Sequence, residues 1–261
     1  MSDLAQENTI HRYQNGSLTP TGDLLVREVP LTIFLNDSEL ATLVCSPGAY
    51  KELATGFLLT EGLIQTADDI AEITLREDEG LLWVQTDRPV PQVENFLRRQ
   101  LASCCGKGRS GLYFVNDAAQ LQPVNSPARF TAGDILAAAR QLEENARLFR
   151  TTGGVHSAAL AAGGRLLVMY EDIGRHNAVD KVLGHCLWQR LPVQDKALVL
   201  SGRVSSEILI KAVRAGLPAV VSRSAPTALA VELARDLNIC LIGFARGERF
   251  NVYSGRERVV L

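Results

Sequence analysis

The last quarter of the chain alternates short apolar runs with helical patterns, and that alternation leaves few folds open. Residues 197–200 read as a buried strand, and 204–215 as a helix closed by Gly216. A second strand over 219–221 leads to a helix over 226–237 carrying Leu229, Leu233 and Leu237, and a third strand covers 239–244. Strands that alternate with helices join through right-handed crossovers into parallel units, which predicts an α/β sheet here. Parallel strands put their carboxyl ends on one edge, and open α/β sheets bind ligands along that edge.

Three polar turns fall on the predicted edge: Ser201-Gly202-Arg203, Ser222-Arg223-Ser224 and Ala245-Arg246-Gly247-Glu248-Arg249. The first two open helices, whose N-terminal N–H groups and positive dipole end attract anions. Arg203, Arg223, Arg246 and Arg249 converge there in this reading and could clamp phosphates bidentately. Serine and glycine also cap helices with no ligand involved. Three such turns on one edge, each with arginine, favour a nucleotide or phosphate site. The spacing is neither a P-loop nor G-x-G-x-x-G, so neither an NTPase nor a dehydrogenase follows.

Upstream, the pattern is mixed. Residues 1–24 are polar and read as a flexible tail. A hairpin over 29–35 and 39–45 turns at Asn36-Asp37. Ser46 as N-cap and Pro47 at the first helical position open a helix that carries Leu53, Phe57 and Leu58 and ends near Gly62. A strand over 81–86 and an amphipathic segment over 93–101 lead into a loop over 102–111. Residues 123–127 look like a connector between an α+β part, 25–126, and a second domain, 127–261. The latter opens with Thr131 and Asp134 capping a helix through Ile135, Leu142 and Phe149. A hairpin over 155–161 and 165–170 then turns at Gly163-Gly164, ahead of a helix bearing Val179, Val182 and Leu183.

The 102–111 loop contains Cys104 and Cys105 among Gly106, Lys107, Gly108 and Arg109. Exposure and nearby positive charge favour the thiolate, so chemistry at sulfur is the leading reading. Neighbouring Cα atoms stand about 3.8 Å apart, inside the usual disulfide minimum of about 4.4 Å. Incidental cysteines or a partial metal site remain as alternatives, although Cys45, Cys186 and Cys240 lie in apolar segments and offer no second ligand pair. Five cysteines without framework spacing argue for a reducing compartment, and the cytoplasm is the expected location. A net charge of −2 supplies no basic field for nucleic acid. No apolar run reaches the roughly 18 residues of a membrane span.

The block from Glu171 to Lys181, Glu-Asp-Ile-Gly-Arg-His-Asn-Ala-Val-Asp-Lys, sits where a strand turns into a helix. Arg175 and His176 are candidates for ligand contact there. His176 and Asp180 share a helix face; a hydrogen-bonded network suits them better than a metal, for want of a third ligand. His156 reads as a satisfied core histidine or as a ligand contact at the domain boundary. A zinc deaminase would need His-x-Glu and Pro-Cys-x-x-Cys. Ala158 stands at the glutamate position and no Pro-Cys-x-x-Cys exists, which disfavours deamination.

These residues carry a resemblance. Gly-Phe-Leu-Leu-Thr-Glu-Gly at 56–62, the cysteine loop, Gly-Val-His-Ser-Ala-Ala at 154–159, the 171–181 block, Pro-Thr-Ala-Leu-Ala-Val at 226–231 and Gly-Phe-Ala-Arg-Gly at 243–247 resemble the FdhD family of formate dehydrogenase accessory sulfurtransferases. The resemblance runs from about Val29 to the C-terminus. It implies an α/β fold whose C-terminal domain is a cytidine-deaminase-like three-layer α/β/α unit without zinc chemistry. It implies a sulfur carrier that takes a persulfide from a cysteine desulfurase. The sulfur goes to molybdenum in a bis-molybdopterin guanine dinucleotide cofactor, bound as acceptor substrate and destined for the formate dehydrogenase catalytic subunit. Cys105 or Cys104 would hold the persulfide. Phe244, Ala245, Arg246, Gly247, Glu248 and Arg249 would contact the cofactor, joined by the edge candidates Gly202, Arg203, Ser222, Ser224, His156, Arg175 and His176. A homodimer is also implied. Many family members carry Cys-Gly-x-Cys-Gly, of which only Cys105-Gly106 is reproduced here. A non-covalent cofactor chaperone is the alternative.

Overall fold

The computed structural model describes residues 4–87 and 121–261. Cys104, Cys105, the loop over 102–111 and the amphipathic segment over 93–101 therefore lie outside the described residues. The chain opens with strands β1 (Ala5–Gln14) and β2 (Ser17–Val26), paired antiparallel from Ala5–Val26 to Gln14–Ser17. This corrects the expected tail. Asn15 and Gly16 both take positive φ, 52° and 84°, the geometry of a tight hairpin turn. The strands escaped notice because both their faces are wet, so no alternation marks them.

Strands β3 (Val29–Leu35) and β4 (Ser38–Cys45) form the expected hairpin, with Asn36 and Asp37 left-handed at its turn. Helix α1 runs Tyr50–Glu61 and stops at Gly62, whose φ of 76° needs glycine and whose N–H closes on Leu58 and Leu59. Its start differs from the expectation. Gly48 and Ala49 are both left-handed, so Ser46 and Pro47 precede the helix. Ser46 is drawn away by the C-terminal half: its Oγ accepts from Ile173 N at 3.1 Å, and its N–H donates to Asp172 at 3.1 Å. Strands β5 (Ile70–Arg76) and β6 (Leu81–Thr86) complete a four-stranded sheet ordered β4-β3-β6-β5.

The second half begins with β7 (Phe130–Thr131), α2 (Ala132–Asn145) and α3 (Arg147–Thr152). Thr131 caps α2 by accepting from Asp134 N at 3.0 Å, as expected. The single helix expected through Phe149 is broken at Ala146. The Glu171 carboxylate takes the N–H groups of Leu148 and Phe149 at 2.9 and 3.0 Å, founding a new helix start. Then follow β8 (His156–Ala162), β9 (Arg165–Asp172), α4 (Arg175–Trp188), β10 (Ala197–Leu200), α5 (Ser206–Arg214), β11 (Ala219–Ser222), α6 (Ala228–Asp236), β12 (Cys240–Arg246), β13 (Arg249–Ser254) and β14 (Val259–Val260). Strands β8 to β13 make one sheet ordered β13-β12-β11-β10-β8-β9, and β14 pairs with β7. The neighbours β10, β11 and β12 are parallel, as the alternation predicts; β8 and β13 flank them antiparallel.

Side chains alternate across this sheet. Ala159, Val199, Val221 and Ile242 face Ile135, Ala139 and Leu142 of α2. Leu160, Leu198, Val220 and Leu241 face Val179, Leu209 and Ala234 of the helices opposite, giving three layers. That second core runs on through Leu53 and Leu58 of α1 to Ile33 and Val84 of the smaller sheet. One apolar interior thus spans the boundary expected near residue 126.

Buried polar ties accompany it. Lys211 Nζ reaches both Asp180 oxygens and Thr60 Oγ1 at 2.8 Å each. Lys181 Nζ lies 2.7 Å from Asp172 Oδ2 and donates to the Ser46 carbonyl at 3.0 Å. Removing one partner of such a pair strands a buried charge, at a cost of about 3–5 kcal/mol. Among the described residues, no helix is long and apolar enough to cross a membrane.

Candidate functional site: the carboxyl edge of the six-stranded sheet

The carboxyl ends of β10, β11 and β12 form one edge, and antiparallel β8 brings its amino end there too. Leu200 lies opposite Ala158, which sets His156 level with the turn after β10. His156 in turn faces Asp172 at the end of β9, so the chain enters α4 on the same edge. The structure therefore brings together the turns at 201–203, 222–224 and 244–249 with His156, Arg175 and His176.

Local bonding holds the turns. Ser201 N donates to Ser157 O at 3.0 Å, and Ser201 Oγ accepts from Ser157 N at 2.9 Å. Val204 N donates to Ala225 O, and Thr227 N to Val204 O, which ties the entries of α5 and α6 together. Gly202 is needed for closeness: a Cβ there would stand 3.1 Å from His156 Nδ1 and 3.9 Å from Arg175 Cβ. Ser222 is a correction. It is fully buried, and its hydroxyl donates to Gly202 O at 2.7 Å while accepting from Ser224 N at 2.9 Å. It fixes the two turns to each other, and no hydroxyl is left for a ligand.

The expected convergence of four arginines is only partial. Arg223 pairs with Glu143 of α2 at 2.6 Å, and this hydrogen bond holds the Glu143 carboxyl below its usual range. Arg246 Nε donates to the Arg223 carbonyl at 2.6 Å. Both line a cavity of about 280 Å³ with Arg140, Ala245, Gly247 and Glu248. Arg203 and Arg249 are exposed along the rim. The Ala245 methyl points into the α2 core, so only its backbone can meet a ligand. Phe244 holds a left-handed φ of 55° with its ring 41% exposed. Such a conformation in a bulky residue is strained, and strain of this kind clusters at ligand sites.

The 171–181 block divides by direction. Asp172 accepts from Gly174 N and Asn177 Nδ2 at 2.9 Å each and pairs with Lys181, while Asp180 is held by Lys211 and Thr60. These residues position the start of α4. Asp180 is thereby committed elsewhere than to His176, and no group of three or more metal-ligating side chains gathers among the described residues. Arg175 and His176 instead reach the edge, where Arg175 Nε is buried with no hydrogen-bond partner and His176 Nε2, also buried, makes no hydrogen bond but lies against a carboxylate. Buried polar atoms without partners are rare, and at such an edge they fit a polar anionic ligand. His156 is half-buried. Burial lowers its pKa, and the electrostatic influence of Arg175 and then His176 adds to the effect.

Sequence reasoning missed Glu207. Its Oε2 lies 3.2 Å from His176 Nε2. The contact is close enough for electrostatic attraction, so Glu207 is the acidic neighbour of this imidazole. The only local signal was an acidic residue one turn into a capped helix. The described cysteines are poor nucleophiles: burial pushes Cys45, Cys186 and Cys240 each up to about 12.

Known proteins resemble this chain in sequence and fold. A family model described as the FdhD/NarQ family matches residues 26–260. The chain is 42% identical to a protein of Bacillus licheniformis named sulfur carrier protein FdhD, over 98% of each chain. It is 43% identical to the protein of that name in Bacillus subtilis, over 96% of this chain and 95% of the relative. A crystal structure assigned as a formate dehydrogenase accessory protein from Desulfotalea psychrophila superposes with a TM-score of 0.81 at 28% identity, covering 98% of this chain and 100% of that one.

Proposed function

Because the chain belongs to the FdhD/NarQ family, we propose that it is a sulfur carrier in the maturation of formate dehydrogenase. A thiolate of Cys105 or Cys104 attacks the outer sulfur of a cysteine desulfurase persulfide. The new S–S bond forms as the desulfurase thiolate leaves. The outer sulfur would then pass to bis-molybdopterin guanine dinucleotide, held at the sheet edge as acceptor substrate for the formate dehydrogenase catalytic subunit: the carrier's S–S bond breaks, the cysteine leaves as thiolate, and a reduced, Mo(IV) acceptor would supply the two electrons that convert the zero-valent sulfur to a sulfido ligand. The protein supplies positioning and the cofactor supplies the metal chemistry.

One observation carries the cofactor half of this reading: Arg175, beside Gly202 at the amino end of a helix, has its Nε buried without a hydrogen-bond partner. The arginines of the rim and the exposed Phe244 ring supply further phosphate and base contacts. The sulfur half is supported by elimination. The three described cysteines are suppressed by burial, which leaves Cys104 and Cys105, flanked by Lys107 and Arg109.

The test is persulfide trapping by mass spectrometry after incubation with desulfurase and cysteine, on wild type, Cys104→Ala, Cys105→Ala and the double variant. The label is expected on the 102–111 peptide and absent from the double variant, which still binds guanosine diphosphate. A double variant that activates formate dehydrogenase fully would remove the covalent carrier.

A further inference from the structure

We propose that Ser46, which follows β4, is a positioning residue for the ligand on the sheet edge: it holds the 172–174 loop so that Arg175 is aimed at the ligand's phosphates. This rests on the reading of the edge as the cofactor site and adds to it a residue from the other half of the chain.

Arg175 has to be aimed from behind. Its Nε is buried without a hydrogen-bond partner, so that nitrogen does not steer the guanidinium. Gly174, the N-cap of α4, has no side chain with which to cap the helix. The direction in which Arg175 leaves the main chain is therefore set by the loop before it, and that loop is fixed residue by residue. Ile173 N donates to Ser46 Oγ at 3.1 Å. Gly174 N donates to Asp172 Oδ1 at 2.9 Å, and Asp172 Oδ2 in turn accepts from Ser46 N at 3.1 Å. The Ser46 carbonyl accepts from Lys181 Nζ, further along α4, at 3.0 Å. The amide, carbonyl and hydroxyl of the fully buried Ser46 are all committed to this one region. Asn177 braces the same turn from within the helix. Its Nδ2 donates to Asp172 Oδ1 at 2.9 Å and to the Val44 carbonyl at 2.8 Å. There is no slack at Gly174, where a Cβ would stand 2.8 Å from that nitrogen.

Adhesion between the two halves is the plainer role for these ties. The halves do not need them for it, because α1 and α4 already meet main chain to main chain and share one apolar interior. The ties also converge on 172–174, immediately before Arg175. A guanidinium meets phosphate oxygens through a planar fork, so its affinity depends on direction as well as charge. Groups of this kind need a supporting shell that fixes them to within about 0.5 Å, and Ser46 supplies it here.

The experiment is calorimetric titration with guanosine diphosphate of wild type, Ser46→Ala, Arg175→Ala and the double variant, each first shown to melt cooperatively. Ser46→Ala keeps the main-chain bonds of residue 46 and removes the acceptor of Ile173 N. It is expected to weaken guanosine diphosphate by about fivefold, and Arg175→Ala by about tenfold. Because Ser46 acts through Arg175, the double variant should bind within about twofold of Arg175→Ala alone. Unchanged affinity in Ser46→Ala overturns the proposal, as does a loss that persists at full size with Arg175 absent. If Arg175→Ala abolishes binding outright, the Arg175 Nε–H resonance of the unliganded protein decides. It should move on Ser46→Ala, and a resonance left in place overturns the proposal. Should Ser46→Ala not fold, Asn177→Ala takes its place with the same expectations. A wild type that binds guanosine diphosphate no better than Ser46→Ala does loses this inference alone. A wild type that does not bind it loses the cofactor reading of the edge, and this proposal with it.

Discussion

Gly184 on α4 stands so close to Glu52 on α1 that a Cβ at Gly184 would lie 1.9 Å from the Glu52 carbonyl oxygen and 2.7 Å from the backbone nitrogen of Gly56. Gly56 repeats the relation from the other side, with its own Cβ position 1.8 Å from the Asp180 carbonyl oxygen. The two helices cross backbone to backbone. Because the obstacles are main-chain atoms, no rotamer change can make room.

Gly184→Ala and Gly56→Ala are therefore expected to force α1 and α4 apart and to destabilise the protein by about 3 kcal/mol or more, above the typical cost of overpacking. Gly153→Ala is not a fair control, since its φ of 67° is strained for alanine. Gly133→Ala is: it sits in α2 with only Thr131 Oγ1 near, at 3.9 Å. Urea unfolding midpoints check this. A Gly184→Ala protein as stable as the Gly133→Ala protein would refute the tight crossing.

Phe244 should behave as a residue kept for contact at the expense of its backbone. Phe244→Gly relieves the positive φ while adding unfolded-state entropy, so stability is expected to stay within about 1 kcal/mol of wild type. Loss of the exposed ring should weaken guanosine diphosphate by about tenfold, in line with base–aromatic stacking. Phe244→Tyr keeps the stack and should bind as wild type does. Equal affinity in Phe244→Gly would show that the ring does not touch the base.

His156 makes folding sensitive to acid. Its folded-state pKa lies below the ordinary 6.5, chiefly through burial. The unfolded chain thus takes up a proton first as the pH falls. Stability is complete above about 6.5, declines as the pH drops from there to the lower folded-state value, and levels off beneath it. His156→Gln should flatten this decline between pH 7.5 and 5.5, measured as the difference in urea midpoint. A variant with the same slope as wild type would assign the acid sensitivity elsewhere.

Which parts of the molecule are legible in its sequence follows from where the information resides. Residues 197–200 and 219–222 are buried on both faces, and such strands between helical patterns announce a parallel sheet. The turns at 201–203 and 222–224 follow from the same local chemistry. The β1–β2 ribbon is hidden because strands wet on both faces show no period, although Asn15-Gly16 was present as a turn signal. The break between α2 and α3 is set by Glu171, and the role of Ser46 by Asp172; both partners are remote in sequence. Ser222 looked like a phosphate ligand because a turn serine has the same signature whether it faces outward or inward. Glu207 meets His176 only after β10 has placed α4 and α5 side by side, so no local pattern could disclose it.

The continuous interior from Ile33 through Leu58 and Leu183 to Leu241 has a mechanical consequence. Cutting the chain near residue 126 would strip each fragment of the leucines that cover the other, so neither is expected to stay dissolved on its own. The same packing forbids a hinge there: the two sheets travel as one body, and cargo has to be handed over without the halves of the molecule swinging apart.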